Sequence, residues 1–150
     1  MMSAPPALRA ALLALVAATL GACSSGPWGA AEQRFSARLA GTSEVPANAS
    51  PATGTLEATL DRNTHLLRWT LTYAGLSGPV KAGHFHGPAV IGQNAGVVVP
   101  FTSSLDNPIE GQATVTPEQV ADLMAGKWYV NLHTANFPAG ELRGQVTPNR

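Results

Sequence analysis

Several residue types are scarce in this 150-residue chain, and each scarcity excludes a class of protein. Charged residues make up only 12% of the sequence, with nine basic and nine acidic side chains, so no basic surface is available to neutralise nucleic-acid phosphates. The single cysteine, Cys23, excludes an internal disulfide. Met124 is the only methionine after the N-terminal segment, and this scarcity of thioether ligands argues against a carrier of Cu(I).

The patterns of common hydrolytic enzymes are also missing. No serine lies in a nucleophile-elbow sequence, and no thiol lies beyond Cys23. The acidic residues are scattered, so no acid/base pair can be argued from their spacing. We therefore predict no catalytic residue and favour a binding module over an enzyme.

The N-terminal segment has the pattern of a secretory signal. Arg9 precedes an apolar run at 10–20, which has the length of a signal-peptide core and is too short to span a bilayer. The run ends in Leu20-Gly21-Ala22-Cys23, which resembles the lipobox of bacterial lipoproteins. The alternative is an ordinary signal peptide followed by an incidental cysteine.

The lipobox predicts a division of the chain into three parts. Residues 1–22 are the signal peptide, 23–33 are the lipidated N-terminus and tether, and 34–147 are one domain. Acyl chains on Cys23 would hold the protein on the extracytoplasmic side of a membrane. Ser24 at the second mature position favours the periplasmic side of the outer membrane in a Gram-negative cell.

Alternation of apolar and polar residues with a period of two predicts strands, most clearly in Leu67-Arg68-Trp69-Thr70-Leu71-Thr72-Tyr73. A helix N-terminus is indicated by Thr116, Pro117 and Gln119. Gly126 is a residue of the type that ends a helix. The helix is predicted at about 116–125. The fold class is an all-β Greek-key β-sandwich of about eight antiparallel strands. The remaining strands are predicted at 35–40, 56–60, around 84–86, and at 97–101, 111–115, 128–133 and 141–146.

Three of the four histidines fall in positions that suit a metal site. His84 and His86 flank Phe85 on a strand, so both imidazoles point to one face while Phe85 points to the core. His133 follows Asn131 on the polar face of another strand. Neutral imidazoles are good ligands for Cu(II) or Zn, and Glu141 is a candidate fourth ligand or a partner that orients a histidine. His65 follows a turn and is predicted to be a loop residue.

The same segments resemble the chordin-type (CHRD) domain family over roughly residues 34–147. The resemblance implies a β-sandwich, found in animals in an extracellular growth-factor antagonist and in bacteria in secreted or lipid-anchored proteins without a settled activity. Ala47 departs from the family, in which many members have a second proline. The matching segments are Leu39-Ala40-Gly41, Glu44-Val45-Pro46, Ala82-Gly83-His84-Phe85-His86-Gly87, Gly92-Gln93-Asn94-Ala95-Gly96, Gly126, Tyr129-Val130-Asn131-Leu132-His133-Thr134 and Pro138-Ala139-Gly140-Glu141-Leu142-Arg143-Gly144-Gln145.

Three hypotheses follow for function. The favoured one is a membrane-tethered module that binds Cu or Zn through His84, His86 and His133 with Glu141, supported by Asn131, Thr134 and Arg143. The second is a metal-free structural module, or one that binds an envelope protein, in which the histidines brace loops. The third, an enzyme similar to copper-zinc superoxide dismutase, lacks the larger histidine set, aspartate ligand and disulfide of that enzyme.

Overall fold

The computed structural model describes residues 1–2 and 31–150. Residues 3–22 of the predicted signal peptide, Cys23 and most of the predicted tether lie outside the described residues. Within the described ranges, no helix is both long enough and apolar enough to cross a bilayer.

The described part of the chain contains eight strands and one α-helix, as the sequence predicts. A short 3-10 turn, Gly41–Ser43, follows the first strand. The elements are β1 Glu32–Ala40, β2 Thr53–Asp61, β3 Leu66–Ala74, β4 Val80–His86, β5 Val97–Pro100, β6 Ile109–Thr114, α1 Pro117–Met124, β7 Trp128–Thr134 and β8 Leu142–Pro148.

All of these strands pair antiparallel in one continuous sheet of order β5-β4-β7-β8-β1-β2-β3-β6. β8 returns to lie beside β1, which is the connection expected of a Greek key. The sheet folds over so that its two ends face each other: the rings of Trp69 in β3 and Phe85 in β4 are 5.1 Å apart. The predicted all-β class is confirmed, with the two layers formed by one folded sheet.

The inward face of the strands forms a single core. Period-two alternation places the apolar residues of each strand on this face, and Trp69 and Trp128 both lie there. β5 ends at Pro100 on one edge of the sheet, where a residue without a backbone N–H is tolerated. Fully buried members of the core include Phe35, Leu56, Leu60, Leu67, Leu71, Phe85, Ile109, Trp128, Val130, Leu132 and Leu142.

The helix begins as its sequence predicts. The side chain of Thr116 accepts a hydrogen bond from the backbone N–H of Gln119, and the side chain of Gln119 accepts one from the backbone N–H of Thr116. Leu123 is buried against the core, and Gly126 follows the last turn with φ of 68°.

Several strand boundaries differ from the prediction, among them the starts of β1, β2, β4 and β6 and the end of β8. β1 and β4 show the reason. β1 begins at Glu32, inside the predicted tether, because Glu32 and Gln33 already pair with Asp61 and Leu60 of β2. The unpatterned residues Val80 and Lys81 belong to β4, because Val80 pairs with Thr134 of β7. Pairing with a neighbouring strand thus extends both elements beyond their sequence signals.

Candidate metal centre

The three histidines predicted as ligands lie together on the outer face of the sheet. β4 and β7 are neighbours, with His84 opposite Asn131 and Ala82 opposite His133. Because side chains alternate along a strand, this register places both histidines of β4 on the same face as Asn131 and His133 of β7. Phe85, between the two histidines of β4, is fully buried on the opposite face as predicted.

The imidazoles of the three histidines converge on one region of this face. One ring nitrogen from each of His84, His86 and His133 lies within 4.8 Å of the other two. Nδ1 of His84 is 3.3 Å from Nε2 of His133. Two nitrogens bound to one tetrahedral ion at 2.0–2.1 Å would be separated by about 3.3 Å.

Backbone carbonyl groups hold two of these rings in orientation. Nδ1 of His86 donates to the carbonyl of Ala95, and Nδ1 of His133 donates to the carbonyl of Pro138, both over 3.0 Å. A proton on Nδ1 of a neutral imidazole leaves the lone pair on Nε2. This is the arrangement commonly found at histidines that bind metals through Nε2.

Asn131 lies between the two Nε2 atoms. Its Oδ1 is 3.0 Å from Nε2 of His86 and 3.1 Å from Nε2 of His133. With both rings neutral and protonated on Nδ1, these three atoms would all present lone pairs to the same space. A cation in this space would accept these lone pairs. Alternatively, the side-chain amide of Asn131 can turn so that its NH₂ group donates hydrogen bonds to both rings.

Burial favours the neutral forms of His84 and His86. It lowers the pKa of His84, and the neighbouring His133 and His86 lower it further. Burial also lowers the pKa of His86, although the bonds to Ala95 and Asn131 act in the opposite direction. Neutral imidazoles are the form that binds a metal ion.

Tyr129 and Arg143 form the wall beside the cluster. The ring of Tyr129 stacks on His86 with an interplanar angle of 2° and a centroid separation of 4.7 Å. Arg143 lies over the same ring and donates hydrogen bonds to the side chain of Asn94 and the carbonyl of Gln93. Arg143 therefore anchors the 87–96 loop, whose Ala95 orients His86.

Glu141 does not lie with the histidines. Its buried carboxylate accepts hydrogen bonds from the hydroxyl groups of Ser50, Ser77 and Thr134 and from the backbone N–H of Ser77. Burial alone would raise the pKa of Glu141, but the bonds from Thr134, Ser77 and Ser50 bring it below its usual value. The four donors occupy both oxygens, so we leave Glu141 out of the ligand set. Thr134 supports Glu141 rather than a histidine.

A second buried carboxyl group was not predicted as a site residue. Glu44 is 7% exposed, and its Oε1 has no hydrogen-bond partner among the described residues. Burial raises the pKa of Glu44 to about 7, although the charge of Arg143 acts in the opposite direction. A side chain at Gly140 would overlap this carboxyl group, and the φ of 132° at Gly140 also suits glycine.

Sequence patterns identify some of the site and miss the rest. Tyr129 shares the alternation of Asn131 and His133, so its place on the polar face could have been read from spacing. The carbonyl groups of Ala95 and Pro138 have no sequence signal, because they reach the histidines through loop conformation. His65, the fourth histidine, lies in the turn between β2 and β3, as predicted, and its φ is 57°.

The fold and the cluster define a small all-β domain with three convergent imidazoles on its sheet. Residues 35–146 match the CHRD domain family, and the chain belongs to that family. Neither the curated proteins nor the solved structures contain a significant match to the chain.

Proposed function

We propose that this protein is a cell-envelope lipoprotein whose CHRD domain binds a transition metal ion, Cu or Zn, through His84, His86 and His133. The observation that carries the proposal is the convergence of three ring nitrogens within 4.8 Å. The backbone bonds at Nδ1 of His86 and His133 support it, because they direct both Nε2 lone pairs into the same space.

Three imidazoles leave at least one coordination position for another ligand. The side-chain oxygen of Asn131 lies beside two of the nitrogens and can fill that position, as can water. Imidazole is a suitable ligand for both Cu(II) and Zn, so the proposal names both. The role that follows is capture or buffering of the ion at the cell envelope.

The second candidate is a metal-free module in which the cluster braces loops. Its support is the same set of bonds from His86 and His133 to Ala95 and Pro138, which tie two loops to the sheet. In this case the amide of Asn131 turns to donate to both rings, and no cation is needed.

Calorimetric titration of Cu(II) and Zn(II) into the chain from Ser24 to Arg150, which lacks the metal-binding thiol of Cys23, separates the two candidates. The variant with His84→Ala and His86→Ala removes two ligands, and His65→Asn is the matched control because asparagine tolerates a positive φ. Binding near one ion per chain that is lost in the double variant and kept in the control supports the metal site. No binding by a wild-type protein that remains folded would refute it.

The lipoprotein part of the proposal rests on the sequence around Cys23 and has its own test. The full chain, expressed in a Gram-negative bacterium, should be recovered in the membrane fraction with a mass increase from acyl chains on its N-terminal peptide. Cys23→Ser should release it from the membranes. A wild-type chain without acyl chains would contradict this part and leave the metal site unaffected.

A further inference from the structure

An apolar groove lies at the end of the domain where β1 begins, which is the end nearest in sequence to the predicted lipid anchor at Cys23. Its volume is about 490 Å³. Val90 and Ile91 on its rim are 51% and 81% exposed, which is unusual for side chains of this type on a surface of few apolar residues. The lining residues are Val90, Ile91, Met124, Ala125, Gly126, Gln145, Thr147 and Pro148.

The groove is adjacent to the start of β1. Phe35 pairs with Pro148, and the backbone N–H of Asn149 donates to the carbonyl of Arg34. The first strand of the domain therefore begins beside the C-terminal residues that line the groove.

Chain length keeps this end near the membrane. Cys23 precedes Glu32 by nine residues, a length of chain that spans at most about 30 Å. A lipid anchor on Cys23 would thus hold the start of β1, and the groove beside it, within reach of the bilayer surface. Tethering of this kind raises the effective concentration of a weak contact to the order of millimolar.

We propose that this groove is a docking surface for the lipid bilayer, with Val90 and Ile91 inserting into the interfacial region. This inference rests on the lipoprotein part of the proposed function. Among the described residues, this end of the domain carries four basic and four acidic side chains: Arg34, Arg62, Lys127 and Arg150, and Glu32, Asp61, Glu118 and Asp122. Their charges balance, so apolar contact drives the docking and anionic lipid is not required.

Hydrogen–deuterium exchange tests the docking without depending on acylation in the cell. The chain from Cys23 to Arg150 is coupled through its only thiol to a maleimide lipid in phosphatidylcholine vesicles. We expect exchange at residues 88–93 and 124–127 to slow by at least about fivefold relative to the uncoupled chain with the same vesicles. The double variant Val90→Ser, Ile91→Ser should lose this protection.

Val97→Ser is the matched control. Val97 is 50% exposed, close to the value for Val90, but it lies on the edge strand β5 and does not line the groove. Its substitution should leave the protection on the vesicles unchanged. Equal loss in the control variant would show that general surface hydrophobicity, and not the groove, causes the effect.

Three other outcomes would overturn the proposal. Unchanged exchange on coupling would mean that the domain does not dock. Protection of the uncoupled chain that grows with protein concentration would assign the groove to a second copy. Concentration-independent protection of the uncoupled chain, lost when residues 24–31 are replaced by glycine and serine, would assign it to the chain's own N-terminal segment. Failure of acylation at Cys23 in cells would be seen separately, by mass.

Discussion

The guanidinium carbon of Arg143 lies 3.5 Å from the centre of the Tyr129 ring. β7 lies between β4 and β8, so Tyr129 has Arg143 on one side and His86 on the other. Contacts between a guanidinium group and an aromatic face are favourable and hold both side chains in place. The hydrogen bonds from Arg143 to Asn94 and Gln93 connect this stack to the loop that orients His86.

We expect Asn94→Ala to weaken binding of the proposed metal about tenfold. The substitution removes the hydrogen bond that Asn94 accepts from Arg143 and the one that it donates to the carbonyl of Val45. The neighbouring Ala95 then no longer holds His86 firmly. The free energy of unfolding should fall by only about 1 kcal/mol, because Asn94 is exposed. Calorimetric titration and urea unfolding measure the two effects.

Asn107→Ala is the control for Asn94. It removes two comparable surface hydrogen bonds, between the side chain of Asn107 and the backbone of Tyr73, in a loop that does not contact the histidines. Metal affinity should not change in this variant. An equal loss in both variants would argue against a specific role for the 87–96 loop.

Glu141→Gln should destabilise the fold and leave metal affinity unchanged. The buried carboxylate accepts four hydrogen bonds, and an amide would turn a donor toward some of those donors. We expect the free energy of unfolding to fall by about 2 to 4 kcal/mol. A marked loss of metal affinity in the folded variant would restore Glu141 to the ligand set.

Glu44→Gln should increase the free energy of unfolding relative to the wild type by more at pH 8 than at pH 5. The carboxyl group has a pKa of about 7 in the folded chain and 4.5 as its ordinary value. Between these two values the unfolded chain releases the proton while the folded chain keeps it, so the wild type loses stability as the pH rises. The amide does not titrate, so the gain from the substitution should grow by about 2 kcal/mol over this range.

Urea unfolding of both proteins at pH 5 and pH 8 measures this difference. Comparing the variant with the wild type cancels the contribution of the histidines, which titrate in both. A gain of equal size at the two pH values would mean that Glu44 is ionised throughout and that burial does not hold its proton.

Gly111→Ala should destabilise the core. Gly111 in β6 pairs with Trp69 in β3, and a Cβ at this position would overlap the indole ring. Moving a packed tryptophan ring costs about 1 to 3 kcal/mol, which thermal or urea unfolding would detect. Gly78→Ala is the control, since a Cβ on Gly78 meets no atom within 4 Å. Equal stability of the two variants would contradict the close packing.

The sequence predicts this fold well because its strands carry local signals. Trp69 and its neighbours in β3 alternate with a period of two, and Thr116 with Gln119 forms the capping box that begins the helix. Strand ends were less predictable: Glu32 and Val80 join strands because a neighbouring strand offers backbone partners, which local patterning does not encode.

The sequence predicts that three histidines meet and that Asn131 and Arg143 lie near them, but it does not identify the loop carbonyl groups that orient the rings. The H-x-H spacing alone places His84 and His86 on one face. The register between β4 and β7 brings His133 to them, and that register depends on packing of the whole sheet. Glu141 was expected near the histidines from its position in the chain, but the loop before β8 carries it to Ser50 and Ser77 instead.

The amino-acid sequence by itself determined the all-β class, the position of the helix, the inward and outward faces of the strands and the family, because each depends on residues close together in the chain. The tertiary structure decided which nitrogens meet, which carbonyl groups orient them, and which of two buried carboxyl groups has partners. Some of those relationships join distant residues, 49 positions apart for His84 with His133 and 91 for Ser50 with Glu141. The carbonyl groups lie only nine and five positions from the histidines they orient, but loop conformation has to bring them there. All of these relationships exist only once the sheet has closed on its core.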